Sequence, residues 1–424
     1  MRTFILTCIV LLFIGNANAQ SAADLELAEM LNSGDMLRLN DRYPQMKDSL
    51  QVPMLARLAE ANLYVNFNQP DKAEAAMADL FTHHQQELDA QTQIGMSALR
   101  AMNFLNLGQY AAGGELGGTL VAALEQQVPF EQLYSFVFME RIGKALTHSP
   151  APFLSRPTAT QQVPMRIDSV GRGHHLMIPV QVNGITKDFI FDTGCSFGNF
   201  VSEAYAKEAG LEILSDSIPV SGTQIGYVKL GVADSLCVGD MVYHHPVFLI
   251  APPNAETDSI FSFDGVLGYH FIRDAKEIIL DFEHDCFIFP EQPSEAEPNM
   301  YLSSNTPKIR IFYQQQPIDI TMDSGNVKSD LGAWFKERFP EAIPQDAQER
   351  PLKRGGFGGI ESFTGYVLPE ITFQLGATPF TLRQVEVVND AENRLAAGSL
   401  GADFLQAFKR VTINYDQMFV KGEK

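Results

Sequence analysis

Between residues 21 and 147 the apolar positions recur three and four apart, as in MLARLAEANLYVNF, DKAEAAMADLFTHHQQEL and SALRAMNFLNLGQYAAGGELGGTLVAALEQQ. That is the period of helices that bury one face, so the segment is expected to form helical hairpins with almost no strand. The turn NFNQPDKAEAA at 66–76 is echoed by NLGQYAAGGEL at 106–116, a shift of 106 − 66 = 40 residues. A helical repeat fits this echo; a small packed bundle is the other reading of the same helices. From Met165 onward the pattern changes to short β-type runs separated by Gly, Asn and Pro. In HHLMIPVQVNGITKDFIFDTG the VNG step predicts a hairpin between two strands.

The stretch THSPAPFLSRPTATQQVP at 147–164, rich in Pro, Ser and Thr, reads as an extended linker, and PEQPSEAEPN at 290–299 as a second boundary. The expected division is therefore a signal at 1–19, a helical domain at 20–147, a linker at 148–164, and two β-rich lobes at 165–295 and 296–424. Arg2, the apolar run Phe4 to Ile14 and the small-residue site Ala17-Asn18-Ala19 carry the signal reading, with cleavage near Ala19 and export to the periplasm or the medium. Cys8 offers a lipid anchor as the competing reading. No later segment is long and apolar enough for a transmembrane span.

Charge narrows the partners. A formal net charge of −20 argues against nucleic acid, whose phosphates need Lys and Arg. Cys195, Cys237 and Cys286 remain beyond the signal; they form neither a disulfide framework nor a CxxC pair, and free buried thiols are expected over a Cys237–Cys286 bridge. The pairs His83-His84, His174-His175 and His244-His245 point apart along an element, so no metal is expected. RGGFGG lacks the Gly-Lys-Ser/Thr ending of a phosphate loop, and no cofactor is expected.

An internal repeat carries the chemistry. GVLGYHFIRDAKEIILDFE at 265–283 aligns without a gap on GSLGADFLQAFKRVTINYD at 398–416, an offset of 398 − 265 = 133. Upstream, FIFDTG aligns with ITMDSG and sets Asp192 opposite Asp323, an offset of 323 − 192 = 131. A single Asp-(Ser/Thr)-Gly is an ordinary turn signal. Two at equivalent places, each followed by an apolar-Leu-Gly or Ser-Leu-Gly turn, mean duplicated domains that each supply one carboxylate.

On these motifs, residues 170–424 resemble the aspartic peptidases, in particular the retropepsin-like group, with two lobes fused in one chain as in pepsin-like enzymes. The resemblance does not cover the helical segment; joined to the helices read from periodicity, it gives an expected α+β multidomain chain, an all-α helical-repeat domain followed by an all-β bilobal acid-protease-like region. It implies Asp192 and Asp323 as a catalytic dyad, activating water against a peptide or unfolded protein substrate. Thr193 and Ser324 would bond across to the opposite lobe, and Gly194 and Gly325 would let backbone N–H groups approach the carboxylates. Gly222, Gly226 and Tyr227 in VSGTQIGYVKL, and Gly355, Gly356 and Phe357 in KRGGFGGIESF, fall where the family carries flaps over the substrate; ordinary β-turns are the competing reading. Two positions depart from the family pattern: Asn326 stands where Ala, Ser or Thr is usual, and Ser399 where an apolar residue is usual. Cys195 stands where the group often has Ala, and is expected to fill space. The helical segment resembles a tetratricopeptide-like or related α-solenoid, which implies a possible protein partner on its concave face. An inactive peptide-binding or adaptor protein, and a helical pro-segment covering the cleft, are the alternative expectations.

Overall fold

The computed structural model describes residues 21–171, 173–254, 263–389 and 396–424. The expected signal at 1–19, with Cys8, lies outside the described residues. The chain divides into two compact units, one of them helical and running to Ala151, the other β-rich and running from Pro152 to the C-terminus apart from 301–304.

In the helical unit the elements are Ala22–Ser33, Met36–Met46, Pro53–Asn66, Pro70–His83, Ala90–Asn106, Tyr110–Leu124 and Phe130–Ala145. Proline opens two of them at the first helical position, where no intrahelical N–H bond is lost. Helix Pro70–His83 buries Ala73, Ala76, Met77 and Leu80, the three- and four-residue spacing expected from sequence. The two echoing turns are built alike. Gln69 N–H donates to Tyr64 O at 2.8 Å and Gln109 N–H to Phe104 O at 2.8 Å, each pair 40 residues from its counterpart. Asn68 (φ 55°) and Gly108 (φ 70°) take the left-handed conformation that ends the preceding helix at the same place.

The second unit is almost entirely β and bilobal. In the first lobe, strand Gly173–Val182 pairs antiparallel with Ile185–Phe191. Their turn has positive φ at Asn183 (48°) and Gly184 (87°), as the VNG step predicts. The second lobe repeats the hairpin with Thr306–Tyr313 and Gln316–Met322, where Gln314 (48°) and Gln315 (66°) take the same two positions. Glutamine pays a steric cost there that Asn-Gly avoids, which is why sequence turn signals miss this second hairpin.

A third sheet joins the lobes. Its hydrogen-bonded order is Gln161–Pro164, Cys286–Phe289, Glu277–Asp281, Arg410–Asn414, Phe419–Glu423. The two central strands are the repeat itself: Glu277 pairs with Asn414, and its counterpart Arg410 with Asp281. Ile279 pairs with Thr412, its own equivalent at the 133-residue offset, so the pseudo-two-fold axis passes there.

The segment read as a linker at 148–164 contributes two strands. Phe153–Ser155 pairs with Met241–His244, and Gln161–Pro164 with Cys286–Phe289. Pro, Ser and Thr signal extended backbone, but composition does not reveal whether that backbone finds a sheet edge. At such an edge, proline's missing N–H costs little.

Candidate active site

Each candidate carboxylate sits where an apolar strand ends. Strand Ile185–Phe191 delivers Asp192 and strand Gln316–Met322 delivers Asp323. The apolar-Leu-Gly and Ser-Leu-Gly turns run beside them: Gly265–Leu267 pairs parallel with Phe189–Phe191, and Ser399–Leu400 with Thr321–Met322. Asp192 N–H donates to Leu267 O at 3.2 Å, and Asp323 N–H to Leu400 O at 2.9 Å. The turns are bonded in return, Tyr269 N–H to Cys195 O at 2.9 Å and Ala402 N–H to Asn326 O at 2.7 Å. These four bonds hold both carboxylate loops by backbone, independent of side-chain identity.

The two loops then interlock. Thr193 Oγ1 donates to Met322 O at 3.0 Å and accepts Ser324 N–H at 3.0 Å. Ser324 Oγ donates to Phe191 O at 2.8 Å and accepts Thr193 N–H at 3.0 Å. Both hydroxyls are buried, so each satisfies two backbone groups of the opposite lobe that water cannot reach.

The glycines permit the approach that follows. A Cβ on Gly194 would lie 2.3 Å from Asp323 Oδ1, and one on Gly325 would lie 2.5 Å from Asp192 Cγ. No side chain fits at either position. Gly194 N–H donates to Asp192 Oδ1 at 2.7 Å. Gly325 N–H is shared between Asp323 Oδ1 and Asp192 Oδ1, at 3.1 Å to each. The two carboxyls face each other across this N–H, so each disfavours the other's charge and a proton on one of them is favoured.

Burial pushes both carboxyls above the usual carboxylate range, against the pull of the N–H donors. Asp323 is pushed further, because the charge of Asp192 faces it. Two such groups titrate as one unit, with one proton shared over a range of pH. Chemically, the arrangement can take a proton from one bound molecule while giving one to another.

Cys195 packs with Phe200 and Phe263 against the buried Met177, Ile190 and Val266. Burial and the neighbouring carboxylates push its thiol well above the ordinary cysteine range, so it stays a thiol and fills space. Cys195, Cys237 and Cys286 are all free and half-buried, more accessible than the buried thiols expected.

Gly222 lies at the tip of the hairpin Glu212–Ser221 and Ile225–Val232, and Phe357 at the tip of Arg350–Gly356 and Gly359–Leu375. The tips meet. Thr223 N–H donates to Phe357 O at 2.9 Å, and Thr223 Oγ1 lies 2.8 Å from Phe357 O and 3.0 Å from Gly359 O. A Cβ on Gly222 would lie 2.5 Å from Phe357 O, and one on Gly226 would lie 3.0 Å from the Phe357 ring. The Phe357 ring stands edge-on to Phe200 at 5.3 Å between centroids. Gly356 faces Thr223, whereas a Cβ on Gly355 would meet nothing. Tyr227 is 48% exposed on its strand, opposite Pro219.

Sequence reasoning missed three participants. Thr223 carries the tip-to-tip bonds, yet a Thr between glycines gives no signal. Phe200 reads as ordinary core. His175, buried on strand Gly173–Val182, places Nε2 3.2 Å from Gly325 O in the opposite lobe's carboxylate loop; burial holds its imidazole below the usual range.

Against known proteins, residues 178–271 match the aspartyl protease family, a span from the first hairpin through the turn after Gly268. The β-rich unit therefore contains an aspartic-protease-like domain. No curated protein matches the chain. Among solved structures, conglutin gamma, a basic 7S globulin from lupine seeds, is similar at 11% identity and TM-score 0.36, over 62% of this chain and 94% of that one. A retropepsin-like aspartic protease from Rickettsia conorii is similar at 15% identity and TM-score 0.22, over 32% and 92%. A protein described as edgp is similar at 11% identity and TM-score 0.34, over 64% and 95%.

Proposed function

We propose that this protein is an aspartic endopeptidase in which Asp192 and Asp323 share one proton and hydrolyse peptide bonds with an activated water. The observation that carries the reading is the single Gly325 N–H held between the inner oxygens of both carboxyls, 3.1 Å from each. The ionised carboxyl takes a proton from water, and its oxygen attacks the peptide carbonyl carbon. The protonated carboxyl gives its proton to the carbonyl oxygen. The tetrahedral adduct then collapses, the amide nitrogen leaves with a proton, and the products are a carboxylic acid and an amine. Fixed geometry is the scaffold's contribution, through the reciprocal Thr193 and Ser324 bonds. The meeting flap tips would cover an extended peptide, and must part to admit it.

For the helical unit, the tetratricopeptide-like reading rests on the two turns built alike 40 residues apart. A protein partner there, and export to the periplasm or medium, belong to the same proposal.

The test is cleavage of an unfolded protein by the purified mature chain between about pH 3 and 7, in parallel with Asp192→Asn and Asp323→Asn. Cleavage by the parent and loss in both variants is expected. Cleavage surviving either substitution overturns the paired mechanism, and tight peptide binding without turnover makes the protein a peptide-binding module.

A further inference from the structure

The two halves of the carboxylate site are equal in backbone and unequal in side chains. Beside Asp192 stand Cys195 and Val266, packed together in an apolar cluster. At the equivalent places beside Asp323 stand Asn326 and Ser399. These were the two departures from the family pattern, and they touch: Asn326 Nδ2 donates to Asp323 Oδ2 at 2.9 Å and lies 3.3 Å from Ser399 Oγ. Ser399 is 8% exposed, and its strand position is fixed by pairing to Thr321 and Asp330. The amide therefore has one end of its bonding anchored in the sheet and the other on the outer oxygen of Asp323.

We propose that Asn326 and Ser399 act as one positioning unit, which keeps the buried Asp323 able to ionise. The inference rests on the carboxylate pair being the working site. Asp323 is 8% exposed, whereas Asp192 is half-buried. An ionised carboxylate gains more from an N–H donor than a neutral acid does, so the added donor opposes desolvation. The carboxyl that also faces its partner's charge is the one that carries the extra side-chain donor. In the other lobe the same space is filled by a thiol and a valine, which donate nothing comparable.

Other groups bear on Asp323 from every side. Asp192 faces it across the shared Gly325 N–H, and His175 reaches that loop through Gly325 O. Asp330 is paired with Arg354 at 2.8 Å, and Cys195 and Tyr415 lie toward Asp192. None of these donates to the outer oxygen, so Asn326 supplies what they do not.

The experiment is carbon-13 NMR titration of the aspartate carboxyls in the full mature chain, with resonances assigned from Asp192→Asn and Asp323→Asn. In Asn326→Cys, Asp323 is expected to titrate about one pH unit higher, the equivalent of about 1.4 kcal/mol. Asn326→Cys with Ser399→Val, which copies the packing of the first lobe, should give the same rise with recovered thermal stability. Ser399→Val alone should give a smaller rise, since the amide remains but loses its anchor. In peptide hydrolysis, the alkaline limb of the pH profile should move up with the acid limb and KM unchanged. A purely structural pair would lower Tm and leave the titration in place, and that result in any folded variant overturns the proposal. The titration needs no turnover, so a chain that cleaves nothing yet shows the shift loses the peptidase reading and keeps this one.

Discussion

Replacing Ser324 by alanine removes one oxygen and strands two backbone groups. Ser324 Oγ satisfies Phe191 O at 2.8 Å and Thr193 N–H at 3.0 Å, and Ser324 itself is fully buried. Each buried group left without a partner costs about 1–3 kcal/mol. The expected loss is therefore about 2–6 kcal/mol, large beside a typical domain stability of about 5–15 kcal/mol. The chain's one tryptophan, Trp334, lies in the helix Ala333–Arg338 of the second lobe, so its fluorescence in a urea titration follows the β-rich unit. Far-ultraviolet circular dichroism, dominated by the helical unit, serves as an internal reference. Thr372→Ala is the control, because its hydroxyl pairs with Thr381 at 2.8 Å on the exposed face and should change stability by no more than about 0.5 kcal/mol. Thr193→Ala removes the reciprocal pair of bonds and should cost a similar amount. A loss below about 1 kcal/mol in Ser324→Ala would mean that water reaches the interlock, and would refute the claim that these hydroxyls hold the loops.

Three further outcomes follow from the same geometry. The raised carboxyls of Asp192 and Asp323 contribute stability that is complete below the ordinary aspartate range near 3.8 and lost as pH rises through their folded values; Asp323→Asn should therefore raise Tm at pH 7 and leave it nearly unchanged at pH 3. Asp281 has the opposite sign: burial pushes it up, but the Arg410 guanidinium and His284 hold it down to about 2, so its stability is present above 3.8 and is lost as pH falls from 3.8 through about 2. Asp281→Asn should cost about 1–2 kcal/mol at neutral pH, Arg410 being partly exposed, and almost nothing at pH 2, by thermal denaturation. Thr223→Val removes a hydroxyl shared between Phe357 O and Gly359 O, about 1 kcal/mol, so hydrogen exchange at 222–226 and 356–359 should speed up roughly fivefold with global stability unchanged.

The legible part of this protein was what repeats. Helical periodicity located the first unit because Ala73, Ala76, Met77 and Leu80 share one buried face. The duplicated Asp-(Ser/Thr)-Gly strings placed Asp192 and Asp323 opposite each other because strand pairing keeps the repeat in register. What could not be read depends on contacts between segments far apart in sequence. The strands at Phe153–Ser155 and Gln161–Pro164 exist only because edges at Met241–His244 and Cys286–Phe289 receive them. Thr223 acquires its role from a tip 134 residues away. Asn326 and Ser399 looked like two unrelated irregularities until their side chains met at 3.3 Å.

The shared sheet also works as a ruler for divergence. Ile279 lies against its own counterpart, so any change in the length of the shared strand would shift every pair on both sides of that point at once. The hairpins project away from this line and answer to no such partner. Accordingly the second half holds two more residues than the first between its carboxylate and its Gly-Ser-Leu-Gly turn, 398 − 323 = 75 against 265 − 192 = 73, while the shared strands keep one offset throughout. The lobes have been free to specialise outward from the axis, one toward a thiol and a valine, the other toward an amide and a hydroxyl, without losing the alignment that brings their carboxyls together.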